Sequence, residues 1–310
     1  MSAMTAEGPT PYEEIEARLL DLLPAQYHDC YEELQPVSMG SAGLKYGDDG
    51  KVAWNEIWGS FCTLAMAGGP PHKGALLEPA PATDIEAQPL RYREVVDEIC
   101  RGITMVTGLP AHASTETGWI RVVCRSEGMA GWLLRAIVME NVSVRLDGAS
   151  IYLPAGPQYR LEKEIKNVIT VVAKTCHYWL DHIWRPQQSD IADLLEEMQA
   201  ESPLIVPAPA ALATSAAASA AACQLSAAVH QHTRLRASTR CYAGWLGLEC
   251  PTVAAAVWMM RTMVACNVLA RREDSILFVP INPETDPDAR IVTRALLIVH
   301  GVGVDRSVVC

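Results

Sequence analysis

The stretch GWIRVVCRSEGMAGWLLRAIVMEN, Gly118 to Asn141, has a diverged copy, GWLGLECPTVAAAVWMMRTMVACN, at Gly244 to Asn267. The two align without a gap at an offset of 126 residues, from Cys124 to Cys250, and the alignment continues to Lys174 and His300. The matches include the rare residue types Trp and Cys, at Trp119/Trp245, Trp132/Trp258 and Cys124/Cys250. Other identical pairs are Arg135/Arg261, Asn141/Asn267, Arg145/Arg271 and Pro154/Pro280. This pattern predicts an internal duplication.

Each copy predicts the element order β-α-β-β-α. An apolar run precedes Cys124, Ser126 is a suitable helix N-cap, and Asn141 is suited to end that helix in the left-handed conformation. Asp147-Gly148 is typical of a tight turn between two strands. Apolar residues at helical spacing then predict a long amphipathic helix over residues 160–184.

The fold class expected from this order is α+β. We predict two duplicated units, each preceded by a helix, which form one pseudo-symmetric body with an N-terminal helical segment packed on it. The predicted domains are an N-terminal helical and loop segment, a first repeat, an acidic and proline-rich linker and a second repeat, over residues 1–90, 91–184, 185–209 and 210–310.

Composition excludes several classes of protein. The formal net charge of −11 disfavours a general nucleic-acid or anionic-membrane binder. No signal peptide or apolar span long enough to cross a bilayer is recognisable, so we expect a cytoplasmic protein. The ten cysteines are scattered without a C-x-x-C pair, which predicts reduced thiols and no zinc motif.

Cys124 and Cys250 each precede a helix N-terminus, where the helix dipole can lower a thiol pKa. A nucleophilic role is therefore one interpretation of these two residues. The alternative is that each is a small buried strand residue, since free cysteine is among the most buried residue types.

Polar residues that occur in the first copy but not in the second predict that a functional site lies in the first copy. Its last helix carries Lys166, Lys174, His177 and Asp181, whereas Val292 and His300 align with the two lysines. Asp181 lies four residues after His177 and could orient its imidazole, so we predict these two as the catalytic pair. His182 lies five residues after His177, and in an α-helix the two would point in different directions, so no metal site is predicted.

Further ligand-binding residues are predicted in the first copy and in a loop before it. Glu140, Arg145, Lys166 and Lys174 supply polar groups in the repeat, and Cys266 replaces Glu140 in the second copy. The loop GGPPHKG, residues 68–74, offers backbone amides together with His72 and Lys73. The alternatives are a solvated helix face with charge pairs and an ordinary rigid turn.

Two functions of different classes fit these features. The first is an enzyme or cofactor-handling protein that binds an anionic small molecule, a carboxylate or a phosphate, between the GGPPHKG loop and the first repeat. No residue pattern identifies its reaction or a cofactor. The second is a non-catalytic accessory or assembly protein, a homo-oligomer or a subunit of a complex, built from the duplicated unit.

Overall fold

The architecture is α+β, with two four-stranded antiparallel sheets and the helices packed against them. A computed structural model describes residues 10–29, 31, 43–58 and 74–309. The helices with complete bounds are α1 (Pro11–Leu22), α2 (Ala82–Ala87), α3 (Pro89–Thr107), α4 (Glu127–Met139), α5 (Lys166–His177), α6 (Arg185–Glu201), α7 (Ala210–Ala213), α8 (Ala216–Thr233), α9 (Val253–Ala265) and α10 (Arg290–Asp305). Residues 25–27 form a 3₁₀ turn, and residues 54–58 are helical.

The strands are short and pair in the same order in both sheets. They are β1 (Ala111–Ala113), β2 (Trp119–Val123), β3 (Arg145–Asp147), β4 (Ser150–Pro154), β5 (Arg236–Ala237), β6 (Trp245–Glu249), β7 (Arg271–Glu273) and β8 (Ile276–Pro280). The orders are β1-β2-β4-β3 and β5-β6-β8-β7. The sequence prediction lacked β1 and β5, because runs of two or three residues carry no readable alternation.

The chain divides into two compact units. One comprises Met1–Glu32, Glu196–Ala270 and Asp274–Cys310, and the other comprises Glu33–Leu195 and Arg271–Glu273. Below, residues 74–183 are called the first half and residues 202–309 the second half.

Strand register and helix caps agree between the halves at the offset of 126 residues. Trp119 pairs with Pro154 across β2 and β4, and Trp245 pairs with Pro280 across β6 and β8. Ser126 caps α4 by accepting a hydrogen bond from the Met129 amide, and Thr252 caps α9 in the same way. The same strand pairing and the same type of helix cap therefore occur in the centre of both halves.

A second shared feature has a different offset. The sequence PAPA occurs at residues 79–82 and 207–210, ahead of the two aligned stretches. Gly118 has φ 88° and Gly244 has φ 76°, and a Cβ on either would lie 3.0 Å from the backbone of Ala80 or Ala208. Each PAPA segment therefore lies directly against the glycine that begins the aligned stretch, and no side chain fits there.

Asn141 and Asn267 follow α4 and α9 in the left-handed conformation, with φ of 61° and 58°. The Asn141 side-chain amide donates to the carbonyls of Gly74 and Arg272, at 3.0 and 2.8 Å. The Asn267 amide donates to the carbonyls of Met198 and Ser202, at 3.2 and 2.8 Å. Each asparagine therefore ends a helix and also fixes a neighbouring segment by hydrogen bonds.

Helices also occupy the segments outside the two aligned stretches. α6 begins at Arg185, the first residue of the segment predicted as an acidic and proline-rich linker. The alanine-rich stretch is split into α7 and α8 at Thr214-Ser215, where Ser215 becomes the N-cap of α8 by accepting from the Ala218 amide. α1 begins with a capping box, in which the Thr10 hydroxyl accepts from the Glu13 amide and the Glu13 carboxylate accepts from the Thr10 amide.

Candidate functional site

The C-terminal end of α5 carries the predicted pair His177 and Asp181. Nδ1 of His177 lies 2.6 Å from Oδ2 of Asp181, a contact of the i, i+4 type on one helix face. Asp181 is largely exposed and His177 is partly buried. The carboxylate can therefore hold the imidazole in one orientation and keep the proton on Nδ1.

His182 joins this pair, which the sequence did not predict. Its Nε2 atom lies 3.0 Å from Nε2 of His177, and the ring centroids are 4.7 Å apart in an edge-to-face arrangement. The expectation that the two histidines point apart is therefore wrong.

The physical reason is the shape of the helix end. Tyr178–His182 forms a π-helical turn, in which residues five apart come onto one face. A straight α-helix, with 3.6 residues per turn, would have separated His177 from His182. A second π-helical turn, Leu161–Ile165, lies at the other end of α5. Local sequence carries no strong signal for either turn.

Aromatic side chains surround the histidines. The ring of Trp58 lies edge-on to His177, with centroids 5.9 Å apart, and Tyr178 lies 5.8 Å from His182. Burial is the main cause that lowers the pKa of His182, and the neighbouring His177 lowers it further while Asp181 raises it. The site thus combines three polar groups with an aromatic wall.

One turn before His177, Lys174 forms an ion pair with Glu140. Nζ of Lys174 lies 3.0 Å from Oε1 of Glu140, and the residues are 5% and 8% exposed. Among the described residues, Oε2 of Glu140 has no hydrogen-bond partner. The Lys174 ammonium also lies 5.7 Å from the centre of the Tyr178 ring, which links the ion pair to the aromatic wall.

The remaining predicted ligand-binding residues lie elsewhere or outside the described ranges. Arg145 pairs with Glu116 and stacks on Trp119, 4.2 Å from the ring centre, so its contacts are not with α5. Lys166 begins α5, and burial lowers its pKa. His72 and Lys73 lie outside the described residues. The structure brings together Glu140 with Lys174, and His177 with Asp181.

The second half lacks the histidine cluster. At the offset of 126 residues, Gly303, Ser307 and Val308 take the places of His177, Asp181 and His182. Cys266 and His300 take the places of Glu140 and Lys174, and burial raises the pKa of the Cys266 thiol to about 12. The polar chemistry of α5 is therefore specific to the first half.

Beside Glu140, a buried polar cluster surrounds Arg271. Its side chain is fully buried, and Nη1 donates to Oδ1 of Asn141 and Oε1 of Glu273, at 3.2 and 2.8 Å. Arg145, the residue aligned with Arg271, is partly exposed. The alignment of Arg145 with Arg271 therefore could not predict this cluster, because the two arginines have different surroundings.

The two strand-end thiols have the environment of buried core residues. Cys124 and Cys250 are buried, and burial raises the pKa of each thiol to about 12. The helix dipole does not outweigh this burial, so the nucleophilic interpretation is not supported. All seven cysteines in the described ranges are free thiols.

Within the ranges the structure describes, no group of three or more His, Cys, Asp or Glu side chains is arranged to hold a metal ion. No helix there is long and apolar enough to cross a membrane. Comparisons of the chain with models of protein families, with curated proteins and with solved structures found no match. Function must therefore be inferred from the site itself.

Proposed function

We propose that the chain is an enzyme or cofactor-handling protein that binds a small anionic molecule at the end of α5. The observation that carries this proposal is the continuous contact from Asp181 through His177 to His182, beside Trp58 and Tyr178. Partly exposed imidazoles in direct contact at the end of a helix add little to an apolar core, and such a cluster is typical of a binding or catalytic site.

The donor chemistry favours an anionic ligand. An imidazole N–H group donates hydrogen bonds to carboxylates and phosphates, and aromatic rings supply apolar surface for the rest of a small molecule. Lys174 is neutralised by Glu140, so we assign it to holding Tyr178 and the helix end in place. This differs from the sequence prediction, in which Lys174 itself binds the ligand.

A ligand screen by thermal unfolding tests the proposal. Carboxylate and phosphate metabolites are added singly to the metal-free protein, and a true ligand raises the unfolding temperature by mass action. The shift should disappear in His182→Ala and persist in His232→Ala, a control in which an exposed histidine of α8 is removed. A shift of equal size in both variants would place the ligand elsewhere and reject the proposed site.

The second candidate is an accessory or assembly protein built by internal duplication. It is favoured by the agreement of strand register, caps and PAPA segments between the halves. The Trp184 side chain, 68% exposed two residues after His182, adds an apolar surface that a protein partner could cover. Light scattering distinguishes the candidates: a homo-oligomer that dissociates in Trp184→Ser, together with a negative ligand screen, favours assembly.

We also propose a cytoplasmic location. The free thiols among the described cysteines fit a reducing compartment. Labelling of thiols in freshly lysed cells, before any reductant is added, would test this. Disulfides at several of these positions would contradict it.

A further inference from the structure

We infer that His177 and His182 together bind a divalent transition metal ion through their Nε2 atoms. This inference goes beyond the proposed function, because the metal site needs no small molecule. Two features of the α5 end carry it: the short separation of the two nitrogen atoms, which the π-helical turn produces, and the carboxylate behind one of them.

The separation of the Nε2 atoms suits a shared metal ion. They lie 3.0 Å apart. Zinc binds imidazole nitrogen at about 2.0–2.1 Å in tetrahedral geometry, which places two ligand nitrogens about 3.3 Å apart. The two nitrogens are within hydrogen-bond distance, so the ion would replace the proton between them, with both Nε2 lone pairs turned to the ion and a change of about 0.3 Å in their separation. Rotation of the partly exposed side chains can supply that change.

Asp181 contacts the nitrogen of His177 that would not bind the metal ion, and we call such a residue an outer partner of the metal ligand. Its Oδ2 atom lies 2.6 Å from Nδ1 of His177, on the opposite side of the ring from Nε2. A histidine that binds a metal through one nitrogen nearly always donates its other N–H to a carboxylate, a carbonyl or water. This contact fixes the tautomer in which Nε2 of His177 carries the lone pair.

The choice of metal follows from the ligands. Imidazole nitrogen suits zinc, copper and nickel, whereas magnesium and calcium prefer oxygen. Two histidines fill half of a tetrahedral shell, and in the described ranges no third protein ligand completes it. Water or an anionic small molecule would take the remaining positions. The part exposure of His177 leaves a path for the ion.

Calorimetric titration of untagged, chelator-treated protein with Zn²⁺ tests the inference. We expect one site per chain in the wild type, and its loss in both His177→Ala and His182→Ala. Asp181→Asn should weaken binding about 10- to 100-fold, because only the outer partner is changed. His232→Ala should bind as the wild type does. Titration with Co²⁺ should give visible absorption bands that His182→Ala lacks.

Absence of a one-site isotherm in the wild type would overturn the inference, as would unchanged binding in His182→Ala. Loss of the Trp58 contact could destabilise His177→Ala, so unfolding of the metal-free variants is measured alongside. Asp181 is 63% exposed, and its substitution leaves the fold intact while still testing the site. The ligand screen uses metal-free protein, so failure of one proposal does not decide the other.

Discussion

Lys174 and Glu140 form an ion pair in the interior of the first half, with Nζ of the lysine 3.0 Å from Oε1 of the glutamate. From the sequence, both residues were predicted to bind a ligand. Both residues are buried, so removal of either one leaves an uncompensated charge away from water. This pair is therefore part of the buried interior of the first half, and it also lies one helical turn before His177 of the candidate site.

Single and double substitutions should separate the charge effect from packing. Lys174→Met should lower the free energy of unfolding by about 3–5 kcal/mol, because Glu140 is left buried and unpaired. The double variant Glu140→Gln/Lys174→Met should recover much of that loss. Denaturant unfolding measures both. The exposed pair Arg91–Glu94 is the control, with an expected change of about 0–1 kcal/mol in Glu94→Gln, which keeps the hydrogen bond from Arg91 to the Tyr159 carbonyl. A double variant no more stable than Lys174→Met would contradict this account.

Thiol reactivity should follow burial. At pH 8 the exposed Cys223 and Cys241 should be alkylated first, while Cys124 and Cys250 stay unmodified in the native protein. A thiol pKa raised to about 12 leaves little thiolate at that pH, and burial also blocks the reagent. Mass spectrometry of peptides after timed iodoacetamide treatment measures the order. Rapid native labelling of Cys124 would show that it is an accessible thiol after all.

The paired glycines should tolerate no side chain. Gly118→Ala and Gly244→Ala should each lower the free energy of unfolding by about 1–3 kcal/mol, because φ is positive and the new Cβ meets the PAPA backbone. Gly301→Ala is the matched control. It lies in α10 with no heavy atom within 4 Å of the added Cβ, so it should raise stability by about 0.5–1 kcal/mol. Equal effects at all three positions would refute the close contact with PAPA.

The two asparagines that end α4 and α9 should both be costly to replace. Asn141→Ala removes the hydrogen bonds with Gly74, Arg271 and Arg272, and Asn267→Ala removes those with Met198 and Ser202. Each also places alanine in the left-handed conformation, at an expected cost of about 2–3 kcal/mol. The glycine variants keep the backbone conformation and should cost less. Thermal unfolding compares the four variants. If the glycine variants lost as much stability as the alanine variants, the lost hydrogen bonds alone would account for the effect.

The amino-acid sequence by itself determined the α+β class, the central strands and helices, the helix caps and the pairing of His177 with Asp181. These features depend on interactions between residues a few positions apart, such as the Ser126 cap and the i, i+4 contact, and so local sequence is sufficient to predict them. The missed strands β1 and β5 are short and owe their existence to pairing with β2 and β6.

Only the tertiary structure decided the contents of the site and the burial of its charges. The Lys174–Glu140 pair joins residues 34 positions apart, and the contact of Trp58 with His177 joins segments more distant still. His182 reaches His177 because one helical turn widens to π geometry, which no local residue preference specifies. Whether a charged residue is buried depends on which distant segments pack over it, as the aligned but differently placed Arg145 and Arg271 demonstrate.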